Sequence, residues 1–269
     1  MAISRIRWLG RHLTLVCTAV TLIATQAPAQ SAEQRGLEIA QEAERRDQGW
    51  GDQQADLAME LRNRQGETSS REIRSRVLEV QGDGDKSLTI FDHPADVKGT
   101  AFLSYTHATD ADDQWLYLPA LKRVKRISSA NKSGPFMGSE FTYEDIASQE
   151  IEKYTYKYIR DDSIDGQSMF VLERYPAYKK SGYRRQVVWV DQQHYRTYKV
   201  EYYDRKDALL KTLLSTDYQL YLDKYWRAGR MFMENHQTGK STILTWSNYR
   251  FQAGLSERDF DQAALRRAR

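Results

Sequence analysis

From residue 52 the chain alternates. Leu57, Met59 and Leu61 are separated by Ala58 and Glu60 and followed by Arg62, a period of two that sends successive side chains to opposite faces of a strand. Asn63-Arg64-Gln65-Gly66-Glu67 makes a turn, and Ile73 and Val77 lie in a return strand that runs to Gly82-Asp83-Gly84-Asp85. Short runs at 87–92, 101–107, 114–118 and 121–127 predict further strands, as do 152–160, 167–175, 184–190, 195–203 and 208–219. Two more, 224–234 and 240–251, flank the turn Asn235-His236-Gln237-Thr238-Gly239. Helical spacing is confined to the ends. Leu37, Ala40 and Ala43 predict a helix over 31–46, with Ser31 and Gln34 at capping-box spacing and Gly49 and Gly51 beyond its end. A last helix starts after Ser256, with Asp259 at its third position. Turns about every eight to twelve residues are the signature of an antiparallel sandwich or barrel. No Pro-, Ser- or Gly-rich linker and no fixed repeat divides the chain, so residues 30–269 read as one mainly β domain: an antiparallel sheet with helices at both ends.

The first 29 residues follow another rule. Arg5, Arg7 and Arg11 precede an apolar run from Leu13 to Ala24, and Ala27-Pro28-Ala29 supplies a small-x-small end. That is a secretory signal peptide, with cleavage expected after Ala29 and a periplasmic product. The apolar run falls short of the roughly 20 residues needed to span a bilayer; an uncleaved anchor is the alternative. Processing removes three of the 40 basic residues, which leaves 37 against 37 acidic ones. The mature chain is therefore neutral and gives no ground for a nucleic-acid partner. Cys17, the only cysteine, is lost too, which excludes a disulfide framework, a thiolate metal site and a lipidated N-terminal cysteine. At 40% hydrophobic, 29% charged and 12% aromatic residues, the rest is too polar for a membrane bundle and too aromatic for a disordered tail.

Catalytic patterns are sparse. His93, His107, His194 and His236 share no metal-type spacing, so neither a metal nor another cofactor is expected. The acid pairs Asp112-Asp113 and Asp161-Asp162 sit beside predicted turns, as solvated hairpin ends do. Thr238-Gly239-Lys240-Ser241 imitates the end of a phosphate-binding loop, but Glu234 stands where that motif needs glycine. Two features remain. Lys122, Arg123, Lys125 and Arg126 put four cations in five residues, either to dock an acidic partner or lipid headgroups or to guard an edge strand against aggregation. Phe136 and Met137 sit in a loop flanked by Gly134-Pro135 and Gly138, either as a mobile lid over an apolar mouth or as a loop tucked into the core.

Longer motifs carry a resemblance. Phe91-Asp92-His93-Pro94-Ala95-Asp96-Val97-Lys98-Gly99-Thr100-Ala101-Phe102-Leu103 is followed by Asp112-Asp113-Gln114-Trp115-Leu116-Tyr117-Leu118-Pro119-Ala120-Leu121-Lys122-Arg123-Val124. Then come Phe136-Met137-Gly138-Ser139, Phe141-Thr142-Tyr143-Glu144-Asp145 and Glu234-Asn235-His236-Gln237-Thr238-Gly239. Together these resemble the exported outer-membrane lipoprotein-sorting proteins, of the half-barrel superfamily that includes the LolA carrier and the LolB acceptor. The resemblance implies a strongly curved antiparallel sheet, an incomplete or half β-barrel covered by helices, with a cavity for acyl chains and no catalytic residues. It also implies an inner-membrane exporter of the resistance-nodulation-division type as a partner, and it leaves the cargo open.

Physical chemistry agrees with a carrier. Exposing an acyl chain of some 16 carbons to water costs on the order of 10 kcal/mol at ~0.8 kcal/mol per methylene. A carrier needs a concave apolar wall, a polar exterior and a cover, and no reactive group. Side chains two apart share a face, so Leu57, Met59 and Leu61, and likewise Trp115 and Tyr117, are candidate walls, together with Phe102, Met231 and Met233. The other parity of one strand, with Leu116 and Leu118 inside, stays open, as does a closed core throughout. Such a carrier is expected to bind lipid or lipoprotein acyl chains as a monomer. A non-transporting accessory subunit of an exporter or envelope complex is the alternative, and an exported hydrolase is a more distant one.

Overall fold

Ser31 begins the folded chain by accepting a hydrogen bond on its Oγ from the backbone N–H of Gln34 at 3.1 Å, the capping role its position predicts. Helix α1 then runs over Ala32–Asp47. The computed structural model describes residues 30–128 and 131–267. The segment read as a signal peptide, residues 1–29, with Arg5, Arg7, Arg11, Cys17 and the expected cut after Ala29, lies outside the described residues.

Fifteen strands follow: β1 (Asp52–Arg62), β2 (Thr68–Leu78), β3 (Lys86–His93), β4 (Ala101–Tyr105), β5 (Asp113–Leu118), β6 (Arg123–Ile127), β7 (Tyr154–Ile164), β8 (Gln167–Pro176), β9 (Tyr183–Asp191), β10 (Thr197–Asp204), β11 (Leu209–Thr216), β12 (Gln219–Tyr221), β13 (Tyr225–Arg227), β14 (Arg230–Asn235) and β15 (Lys240–Phe251). A one-turn helix α2 (Tyr143–Ile146) lies between β6 and β7, and α3 (Gln262–Arg267) ends the described chain. Thirteen strands form one open sheet in the order β6-β5-β4-β3-β2-β1-β15-β14-β11-β10-β9-β8-β7, while β12 and β13 pair separately. Every pairing is antiparallel.

The order explains the shape. The first six strands step outward from β1, the chain crosses to the opposite edge at β7, and it steps back until β15 pairs with β1. Laid flat at about 4.8 Å per strand, the sheet would span roughly 58 Å. Yet Asp112, immediately before β5, accepts from Lys153, immediately before β7. The sheet must therefore curl, with the crossover lying inside the curl.

Three sequence expectations are corrected. The run 121–127 starts as a strand only at Arg123, because Pro119–Leu121 make a 3-10 turn that ends with Lys122 in the left-handed region at φ 47°. The runs 208–219 and 224–234 are each divided. Asp217, Leu222 and Asp223 all take positive φ, which folds 219–227 into its own hairpin. Finally, the inner face is filled chiefly by the crossover rather than by a layer of helices. Helix α1 packs on β7, where Gly36 is required: a Cβ there would lie 2.7 Å from Tyr158 N and 2.8 Å from Lys157 N. Helix α3 packs on β4 and β5, on the other face of the sheet.

Candidate functional site

Register assigns each strand's faces, because directly paired residues point the same way. Leu57, Met59, Ile73, Phe91, Phe102, Leu116, Ile127, Met233 and Leu244 belong to one buried cluster, joined from the other half of the sheet by Leu172, Val188, Val200 and Leu213. This is the inner face. The outer face of β3 to β5 is a second cluster, in which Leu88, Ile90, Ala101 and Leu103 meet Phe260 and Leu265 from the C-terminal segment. Arg71, opposite Met59 in the register, is a cation on the inner side. Its Nε is buried without a hydrogen-bond partner among the described residues.

The crossover fills the curl with aromatic side chains. Phe136, 1% exposed, stands edge-on to Phe102 at 5.2 Å and to Tyr143 at 5.4 Å, and it also contacts Phe91 at 6.0 Å. Two buried charge clusters hold this segment in place. At one end Asp112, whose side chain is buried and not the solvated hairpin end its sequence position predicts, pairs with both Lys132 and Lys153 and so ties the crossover's start and end to the segment that leads into β5. At the other, Lys211 from β11 donates to Asp145 at 2.6 Å and to the Glu140 carbonyl at 2.8 Å. The same Asp145 accepts from the Tyr183 hydroxyl at 2.9 Å and closes a capping box with Thr142. Burial pushes the Tyr183 hydroxyl well above its ordinary range, and the Asp145 charge adds to the shift. Glu144 points toward the loop before β9 and accepts from Ser181 Oγ at 3.1 Å and Gly182 N at 3.2 Å. Burial, with Asp145 beside it, raises its carboxyl to about 7. Glu150 also goes to about 7, through burial and the charge of Asp85.

Beside this plug lies a cleft of about 450 Å³, lined by Leu116, Leu118, Lys125 and Ile127 from β5 and β6 and by the crossover from Asn131 to Tyr143. Tyr143 stands between the cleft and the Phe102–Phe136 pair, 5.4 Å from each ring. The cleft thus lies against β6, the terminal strand of the sheet, and shares Leu116 and Ile127 with the inner cluster. Among the described residues no group of three or more His, Cys, Asp or Glu side chains is placed to hold a metal ion.

With this geometry in view, the relatives are informative. An outer membrane lipoprotein-sorting protein domain from Vibrio parahaemolyticus is 63% identical, covers 86% of this chain and 98% of its own, and superposes with a TM-score of 0.85. A DUF1329 family protein from Desulfovibrio piger is 31% identical over 88% of this chain and all of its own, with a TM-score of 0.84. The chain belongs to the outer-membrane lipoprotein-sorting protein family. A LolA superfamily protein from Nitrosomonas europaea, 22% identical over 88% of this chain and all of its own, has the same fold at a TM-score of 0.69. A family model described as "Uncharacterized protein" matches residues 83–267. No curated protein matches the chain.

Within this family fold most of the predicted wall residues come together. Leu57, Met59, Phe102 and Met233 are buried in the inner cluster, and Leu61 and Met231 pack against it. Trp115 and Tyr117 do not join them. They face outward into the second cluster, where Trp115 stands edge-on to Tyr105 at 5.1 Å. Leu116 and Leu118 are the inward pair on that strand, so the parity with Trp115 and Tyr117 inside is corrected. Both faces of β5 are covered, which makes either alternation hydrophobic. Phe136 is a packed core residue, while Met137, half-buried at φ 49°, forms the bend beside it. Lys122, Arg123, Lys125 and Arg126 are exposed on or next to β6, the terminal strand of the sheet. Sequence reasoning passed over Ile127 and Tyr143 as site residues. Ile127 was legible as the apolar end of an alternating run after Arg123 and Lys125; nothing local marked Tyr143.

Proposed function

We propose that the protein is a periplasmic carrier that holds the acyl chains of lipids or lipoproteins and moves them between envelope components without a catalytic step. The observation that supports this most is the single apolar inner face built from both halves of the sheet, with a cleft at its edge that shares Leu116 and Ile127 with it. The lipoprotein-sorting description of the Vibrio relative supports the same class. In this reading the crossover occupies the space an acyl chain takes. Replacing the apolar contacts of Phe136 with those of a chain exchanges like for like, so the displacement costs little hydrophobic energy. An inner-membrane exporter of the resistance-nodulation-division type as donor of the cargo belongs to the same proposal and rests on the family resemblance.

A second reading, a non-transporting accessory subunit, is favoured by the close packing of Phe136 against Phe91, Phe102 and Tyr143. Native mass spectrometry of the protein purified from a periplasmic extract separates the two. The carrier reading expects an amphiphile to travel with the protein. A lipid-free protein that also ignores a fluorescent fatty-acid probe overturns it in favour of the accessory subunit.

A further inference from the structure

The basic run on β6 is divided by register. Arg123 pairs with Leu118 and Lys125 with Leu116, whereas Val124 pairs with Tyr117 and Arg126 with Trp115. Directly paired residues share a face, so Arg123 and Lys125 stand on the inner side with Leu116, Leu118 and Ile127. Arg126 stands on the outer side, where it pairs with Asp113. Among the described residues the side chains of Arg123 and Lys125 make no hydrogen bond or ion pair, and both are exposed. Two residues apart on one strand, they are about 6.6 Å apart along the edge, within reach of a single phosphate by their long side chains. Guarding the edge against aggregation accounts for cations on either face. It gives no reason for two unpaired ones beside an apolar floor.

That floor belongs to the cleft of about 450 Å³, a volume in the range of small-molecule sites: Leu116, Leu118, Ile127, Pro135 and Tyr143 give it an apolar side, Asn131, Ser133 and Gly134 a polar one, and Lys125 is its one cation among the described residues. An apolar slot with cations at its rim matches an amphiphile whose head is negative. The aliphatic stems of Lys and Arg can lie over the first methylenes while their charges meet the headgroup in water. We propose that the cleft at the β5–β6 edge is the entry site of an anionic phospholipid, whose acyl chain enters over Leu116, Leu118 and Ile127 and whose phosphate is held by Arg123 and Lys125. This rests on the carrier reading and adds to it a selection by headgroup charge.

The test compares lysophosphatidylglycerol and lysophosphatidylcholine of the same chain length, below their micelle concentrations, by isothermal titration calorimetry. The wild-type protein is expected to bind the anionic lipid about tenfold more tightly, and the preference is expected to shrink as salt rises. The double variant R123Q/K125Q should lose that preference, with the larger loss of affinity falling on the anionic lipid, because the phosphate of the zwitterionic one is already balanced by its own choline. The control K122Q/R126Q removes the same charge from the same edge and should leave the preference in place, since Arg126 stands on the other face. Equal binding of the two lipids by wild type overturns this proposal and leaves the carrier reading standing, and equal loss in both double variants has the same effect. Binding of neither lipid overturns both.

Discussion

Strands β1 and β5 carry the same kind of alternation and sit in different surroundings. In β1 the inward residues Leu57 and Met59 are buried while their outward neighbours Asp56 and Ala58 are exposed. In β5 the inward Leu116 meets the inner cluster, and the outward Trp115 lies under the C-terminal segment with Tyr105 and Phe260. A strand with one wet face declares its inside by polarity. A strand covered on both faces is apolar in both parities, and only its neighbours decide which is inner.

The largest effect that tests this contrast is on a charge the inner face encloses. Lys211 and Asp145 are 2% and 3% exposed at the side chain, so Lys211→Met leaves a buried carboxylate uncompensated and is expected to cost about 3–5 kcal/mol in urea unfolding. If the variant loses under about 1 kcal/mol, the pair does not anchor the crossover. Next, β5 should be sensitive on both sides. Leu116→Ala and Trp115→Ala are each expected to lose about 2 kcal/mol or more, and a near-neutral Trp115→Ala would put that ring in solvent. On β1 the two faces should separate: Met59→Ala loses about 2–5 kcal/mol, whereas Asp56→Ala stays within about 0.5 kcal/mol.

A smaller effect depends on pH. Glu144 is raised from an ordinary value of 4.5 to about 7 in the folded protein. The stability it contributes is present while it stays protonated in both states, below about 4.5, and is lost as pH rises through about 7. Glu144→Gln should therefore melt like wild type at pH 4 and at a higher temperature than wild type at pH 8. Melting curves that keep the same gap at both pH values would contradict the shift. Glu150, raised to about 7, pulls the wild-type profile in the same direction.

Much of this was legible in one dimension, for identifiable reasons. The run 240–251 coincides with β15, because a turn with Gly239 at φ 70° bounds it at one end and alternation marks it throughout. The helix over 31–46 matches α1 to within a residue at either end, because its cap is local. The alternation of Leu57, Met59 and Leu61 marks one face of β1 because side chains two apart point the same way. Trp115 and Tyr117 were misplaced because the segment that covers them, with Phe260 and Leu265, arrives from more than 140 residues away in sequence. The cleft was invisible for a related reason: its walls come from two strands and a crossover whose approach depends on the whole sheet's curl.

The amino-acid sequence by itself determined where strands begin and turn, because backbone period, capping and left-handed turn positions act over a few residues. Long motifs such as 91–103 and 112–124 also placed the chain in its family. Only the tertiary structure decided that β1 and β15 join two runs of strands into one sheet, that Asp112 bridges Lys132 and Lys153 across its seam, and that Phe136 fills the curl rather than covering it. Those outcomes depend on which distant surfaces meet, and the free energy of burying them appears only when they do.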